Sequence, residues 1–232
     1  MVELYLVRHG QTIFNVEKRV QGYADSDLTP AGLADAKALG LGLAAESIDF
    51  AQAYASDRKR AIVTAQTALA AAQQPLGLTV NVGLREQDYG KFEGWKTDDF
   101  AKAAFDLPSF DDAMAQGIIT IDSIAGRTFA LNEDEPINYA ENSRMAIDRF
   151  GDSIKHIAHR AEDLQQDRVL IVSHGTIILM WLDAIGFDVK GVRGLSNASV
   201  TQVSCTGDQF EVKSFNDLHF VEAGRALAAK TV

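Results

Sequence analysis

The sequence predicts an α/β fold, a three-layer α/β/α sandwich on a mostly parallel mixed sheet. Short apolar runs alternate with longer amphipathic ones. No internal repeat or Pro/Gly/Ser-rich linker interrupts the 232 residues, and the chain approaches its end in two alternating runs around a tight turn. Residues 3–8 form a strand leading into Arg8-His9-Gly10. Thr29 caps a helix opened by Pro30, which at the first helical position sacrifices no needed donor. That helix runs to about Ala45, weakened by Gly40 and Gly42. Residues 50–55 read as a second strand, 58–73 as an alanine-rich helix and 78–82 as a third strand. Residues 142–164 make a long helix whose apolar side carries Met145, Ile147, Phe150, Ile154 and Ile157. The run 168–173 is the clearest buried strand, and a helix over 176–185 follows His174-Gly175. Residues 198–205 and 209–215 flank Thr206-Gly207-Asp208 as a hairpin, adding an antiparallel edge.

The stretch from about 86 to 144 breaks this rhythm. It holds 13 acids against 5 bases, most of the formal net charge of −10, and 8 of the 19 aromatics. It reads as a cap insertion within a single domain spanning 1–232. With 22 Lys plus Arg against 32 Asp plus Glu, the chain lacks the basic face of a nucleic-acid binder or a partner for anionic membrane lipid. Cys205 is the only cysteine, so no internal disulfide forms and a reducing cytoplasm is the expected compartment. No run reaches the length of a membrane span, and Glu3 stands where a secretory leader would be basic. Scattered apolar surface residues leave the oligomeric state open, a homodimer included.

Ligands of open α/β sheets bind beyond the carboxyl ends of the strands. Three polar motifs fall there: Arg8-His9-Gly10, Ser56-Asp57-Arg58-Lys59-Arg60 and Ser173-His174-Gly175. Imidazoles and guanidiniums converging on one point suit a dianion, because planar guanidiniums match phosphate oxygens. The glycine after each histidine allows close backbone approach to a ligand, and amides at the next helix start favour an anion.

These residues carry a resemblance. Leu6-Val7-Arg8-His9-Gly10-Gln11-Thr12 with Asn15 resembles the signature of the histidine phosphatase superfamily, the phosphoglycerate-mutase-like phosphohydrolases. Four further blocks follow in family order: Gln21-Gly22 to Gly32, Ala55-Ser56-Asp57 to Thr64-Ala65, Leu84-Arg85-Glu86 to Glu93-Gly94, and Val172 to Gly175. The resemblance implies a phosphoglycerate-mutase-like fold and a small-molecule phosphate monoester as substrate, with no metal and no cofactor. It implies that His9 is the nucleophile, that Arg8, Arg60 and His174 hold the phosphoryl oxygens, and that Asn15 adds a neutral donor. Glu86 is implied as the acid that protonates the leaving oxygen and then deprotonates water, its pKa raised by desolvation under the cap.

The resemblance implies Arg60, the third residue after Asp57 and directly before Ala61, rather than Arg58, which stands where the family often has an apolar residue. Helix positions two apart point to different sides, so only one of the two faces the ligand. Gln21 either touches substrate or braces its loop. Glu93 is expected to be structural, and His156 with His159 to form a solvated face. Two departures bear on function. Ala140-Glu141-Asn142 stands where the family often has Gly-Glu-Ser, and Gln87-Asp88 stands where mutases carry a basic pair. A second phosphate or a carboxylate meets repulsion from the acidic cap unless those acids face solvent. The expected activity is therefore a phosphomonoesterase, with a cofactor-dependent phosphoglycerate mutase as the alternative and a non-catalytic phospho-ligand module behind both.

Overall fold

The apolar run at residues 2–8 is covered on both faces, the pattern of a central strand. In the computed structural model, which describes residues 1–230, β1 (Val2–Arg8) has that place, and the short α1 (Ile13–Val16) and α2 (Pro30–Ala45) follow it. Then come β2 (Gln52–Ala55), α3 (Lys59–Ala71) and β3 (Leu78–Val80). The insertion contributes α4 (Thr97–Phe105), α5 (Phe110–Ala115) and α6 (Ile121–Leu131). The chain continues through α7 (Ser143–Asp163), β4 (Arg168–Ser173) and α8 (Gly175–Ala184). It closes with β5 (Val200–Thr206), β6 (Gln209–Asp217) and α9 (His219–Ala229).

The sheet order is β3-β2-β4-β1-β5-β6. β1, β2, β3 and β4 are parallel, and β5 and β6 are antiparallel. Alternate residues of each central strand serve different layers. Leu4 and Leu6 with Val169 and Ile171 pack beneath α7 and α8. Tyr5 and Val7 with Leu170 and Val172 pack against α2, α3 and α9. The insertion gathers Val20, Phe92, Phe100, Ile119 and Ile124 into a third cluster.

The expected elements are present with small shifts at their ends. The third strand stops at Val80, and residues 82–84 form a 3₁₀ turn instead. On α7, Met145 is exposed rather than part of the apolar side, while Phe150, Ile154 and Ile157 are fully buried. Helix α9 was not expected, because Ala-rich residues without a capping side chain give a weak start signal. It docks on α2 through glycines. A Cβ at Gly42 would stand 1.9 Å from Phe220 O, and one at Gly224 1.8 Å from Ala38 O. The glycine that lowers the propensity of α2 is thus what lets a second backbone lie against it.

Among the described residues no helix is long and apolar enough to cross a membrane.

Candidate active site

Parallel pairing of β1 with β4 sets Val7 beside Val172 and Arg8 beside Ser173. The residues that follow, His9 and His174, therefore leave the sheet at the same edge, and their ring centroids lie 5.3 Å apart. Both are buried, at 4% and 0% exposure. Topology alone has joined positions 165 residues apart in sequence.

The ring hydrogens follow from the partners. His9 Nδ1 lies 2.8 Å from Gly10 O, which only accepts, so Nδ1 carries the hydrogen and Nε2 keeps its lone pair. Arg60 Nε, which only donates, lies 3.1 Å from His174 Nδ1, so the hydrogen of that ring sits on Nε2. His174 Nε2 is buried without a protein acceptor, and so is Arg8 Nε. Burial, then the Arg60 and Arg8 guanidiniums, hold His9 well below the ordinary histidine range. Burial and Arg60 do the same to His174. The pair is an uncharged ring with a free nitrogen beside an uncharged donor. Leaving two buried donors unmet costs about 1–3 kcal/mol each, a cost that an oxyanion between them removes.

Arg60 is 1% exposed and fixed on all sides. Nη1 donates to Ala24 O at 2.8 Å and to Asp25 Oδ1 at 3.0 Å, and Nη2 to Gly22 O at 2.7 Å. Arg58 instead turns to Asp57 and Tyr23 O. Of the two arginines, Arg60 is the one at the histidines. The loop that holds it is held in turn by Glu93, whose carboxylate accepts from the amides of Gly22, Tyr23, Ala24 and Tyr89 at 2.7–3.1 Å. Arg8 is anchored through Nη1 to Leu195 O.

Glu86 is 5% exposed. Its Oε1 accepts from the amides of Gln87 (3.0 Å) and Ile177 (2.7 Å), its Oε2 from that of Thr176 (2.9 Å). The amides at the start of α8, expected to favour a bound anion, are therefore satisfied by this carboxylate. Burial raises its pKa against the pull of those amides and of Arg60. Oε1 has both acceptor positions filled and Oε2 has one left, the position where a proton fits.

Asn15 caps α1 through its oxygen, which accepts from Thr12 N at 3.0 Å. Its side chain lines a cavity of about 240 Å³ together with Arg8, His9, Glu86 and Gly175. Gln21 lines it too, but its amide accepts from Thr12 Oγ1 and donates to Ser26 Oγ, so it braces the loop. The expectation for Gly10 changes. A Cβ there would stand 2.7 Å from Gly32 O, so its close approach is to α2.

Apart from Glu86, the acids of the cap do not line the cavity. Asp98, Asp99, Asp111, Asp112 and Glu133 to Glu135 are solvent-exposed. Gln87 and Asp88 turn into their own loop, where Gln87 Nε2 donates to Glu141 O and Asp88 accepts from Gly90 N. Repulsion by the cap therefore does not set specificity. The rest of the cavity wall sets the apolar Phe110, Met114, Ile121, Ile124 and Leu179 beside Arg19, Thr97 and Arg193. His156 and His159 lie far along α7 by a shallow depression with Arg160, Asp163 and Leu164.

One residue with no motif around it proves central. Arg149 on α7 donates to the carbonyls of Gly83, Arg85 and Glu86 and pairs with Glu141 at 2.6 Å. It clamps the segment that carries Glu86. Sequence signals its pairing weakly, as an acid and a base eight residues apart across a helix start. Arg149→Met leaves Glu141 buried and unpaired, and a stability loss of about 3 kcal/mol is expected. Arg149→Lys, which keeps the charge but loses the fork, should restore part of it. If the clamp positions Glu86, the alkaline limb of the kcat/KM profile moves in both variants; an unmoved limb with lower Tm would mean a purely structural role.

Comparison with known proteins agrees with this geometry. The model of the histidine phosphatase superfamily (branch 1) matches residues 4–117 and 117–218. A 2,3-bisphosphoglycerate-dependent phosphoglycerate mutase of Methylocella silvestris is 42% identical over 92 residues, 39% of this chain. That match spans only 45% of the length of the relative. The crystal structure of a phosphoglycerate mutase from Bacillus anthracis is 33% identical, with a TM-score of 0.85 over 97% of this chain and 96% of that one. A mycobacterial glucosyl-3-phosphoglycerate phosphatase, solved with VO3, is 25% identical with a TM-score of 0.69 over 94% of this chain and 100% of that one.

Proposed function

The chain belongs to the histidine phosphatase superfamily, and from that premise we propose that it is a phosphomonoesterase working without a metal through a phosphohistidine on His9. The observation that carries this reading is the uncharged His9 with a free Nε2, flanked by the unmet donors Arg8 Nε and His174 Nε2. In the first step the Nε2 lone pair forms an N–P bond as the P–O bond to the leaving group breaks. Arg8, His174 and Asn15 hold the phosphoryl oxygens while charge spreads over them. Arg60 adds its positive charge and the one Nη2 hydrogen that its contacts with His174 and the 22–25 loop leave free. Glu86 gives its proton to the departing oxygen. In the second step Glu86 takes a proton from water, whose oxygen attacks phosphorus and returns the electron pair of the N–P bond to His9. Splitting one displacement into two is what the nucleophile contributes.

A mutase uses the same first step and is the competing reading. It is favoured by the mutases among the similar proteins and by Arg193, which lines the cavity with no hydrogen-bond or ion-pair partner among the described residues and suits a carboxylate. The apolar Met114, Ile121, Ile124 and Leu179 of the same cavity favour hydrolysis of a less charged ester. The deciding assay supplies 3-phosphoglycerate with trace 2,3-bisphosphoglycerate, and separately a panel of alkyl and aryl phosphates. Phosphate release from the panel faster than isomerisation is expected. Isomerisation that needs the bisphosphate and outruns release would reverse the assignment.

A further inference from the structure

A second chamber of about 290 Å³ adjoins the phosphoryl cavity. The two share Met114, Ile121, Leu179 and Arg193 as a common wall. Beyond that wall the lining is Ile119, Ile147, Met180, Val189 and Val192, with the exposed Asp122, Asp183, Lys190 and Arg193 giving two charges of each sign. The glycine at 191 sits at φ +76° in the loop that carries Val189 and Val192 along one side. The chamber is thus a concave apolar surface beside a polar centre, the usual composition of a site for a small amphiphile.

We propose that this chamber receives the body of the substrate, and that the substrate is the phosphate monoester of a long-chain or bulky apolar alcohol. The inference rests on the phosphomonoesterase reading and adds the class of leaving group. Three features point to it. The apolar side of the phosphoryl cavity, at Ile121 and Leu179, is the side that continues into the second chamber. Apart from Arg193 at the shared wall, the charges around the second chamber are Asp122, Asp183 and Lys190, which offer no net attraction to a second anionic group. A soluble chain gains nothing by leaving such a concave apolar lining to water unless something apolar fills it.

The test is a series of n-alkyl phosphates from ethyl to octyl. Their leaving alcohols are nearly equal in basicity, so chemistry stays constant while buried apolar area grows. With a methylene worth about 0.8 kcal/mol when buried, kcat/KM should rise up to about fourfold per methylene until the chamber is full. Val192→Trp fills the chamber and Val192→Asp charges it, and both should flatten the slope. Because the slope is a ratio within one variant, it is insensitive to damage at His9. Binding of n-alkylphosphonates by calorimetry gives a readout without turnover, and a heat-capacity change growing more negative with chain length is expected. Hydrolysis of ethyl phosphate with no gain in longer esters would overturn the chamber's role and leave the esterase reading intact. So would an unchanged slope in both Val192 variants. Phosphonates that bind tighter with length while no alkyl phosphate is hydrolysed would instead overturn the esterase reading and keep the chamber.

Discussion

His9→Ala is expected to lower phosphate release by at least about 10⁴-fold for every ester, and to remove the acid-labile phosphoryl group trapped on the native protein by rapid acid quench. The size follows from position. Nε2 of His9 is the lone pair at the cavity, and His174, the neighbouring ring, has its own Nε2 protonated by the Arg60 contact at its other nitrogen. No second nucleophile stands ready. Labile phosphate surviving in the variant would shift the role to His174 and reverse the tautomers argued above.

The same variant has a signature in stability. Burial keeps both imidazoles neutral, with folded pKa values well below 6.5. The unfolded chain therefore binds more protons below that pH, and folding stability falls as the medium is acidified. Each ring contributes a slope of about 1.4 kcal/mol per pH unit. This contribution is complete above pH 6.5 and lost progressively as the pH falls toward the folded values. His9→Ala removes one of the two, so its stability should fall less steeply between pH 6.5 and 5 by chemical denaturation. An identical slope in both proteins would mean that His9 is not held neutral.

Much of the site was legible because its residues sit where strands end. Arg8, His9 and His174 each follow an apolar run, and parallel pairing turns that sequence feature into proximity. Arg60 was separable from Arg58 by its place in the family's motif, directly before Ala61, and the structure puts Arg58 at the N-cap of α3 rather than on the helix. The cap was different. Its composition suggested an electrostatic role, but composition does not say which way a side chain points, and the exposed carboxylates of α4 and α5 face water while Phe110 and Met114 face inward. Arg149 escaped for a related reason. Three of its acceptors are backbone carbonyls, and a carbonyl leaves no mark on a sequence. Helix α9 escaped because its contact with α2 is backbone against glycine, where no side-chain pattern records it.

Glu86→Gln separates proton transfer from phosphoryl binding. For alkyl phosphates the leaving alkoxide is a strong base and must be protonated as it departs, so a loss of about 10²–10⁴-fold in kcat/KM, which reports the first step, is expected. For 4-nitrophenyl phosphate the phenolate leaves without help at the first step, and the loss should be at least tenfold smaller. The pH profiles follow the same logic. The native enzyme needs Glu86 protonated and His9 neutral. Its kcat/KM toward alkyl esters should fall on the alkaline side at a pKa above the ordinary glutamate range, since burial raises it, and on the acid side at one below the ordinary histidine range. The glutamine variant should lose the alkaline limb and keep the acid one. Glutamine is a demanding control, because Oε1 takes two amides and Oε2 takes Thr176 N. Its oxygen can replace only one of them, and its NH₂ then faces an N–H. A Tm measurement accompanies the kinetics for that reason. A drop in Tm with equal losses for alkyl and aryl esters would assign Glu86 to holding the start of α8 rather than to acid catalysis.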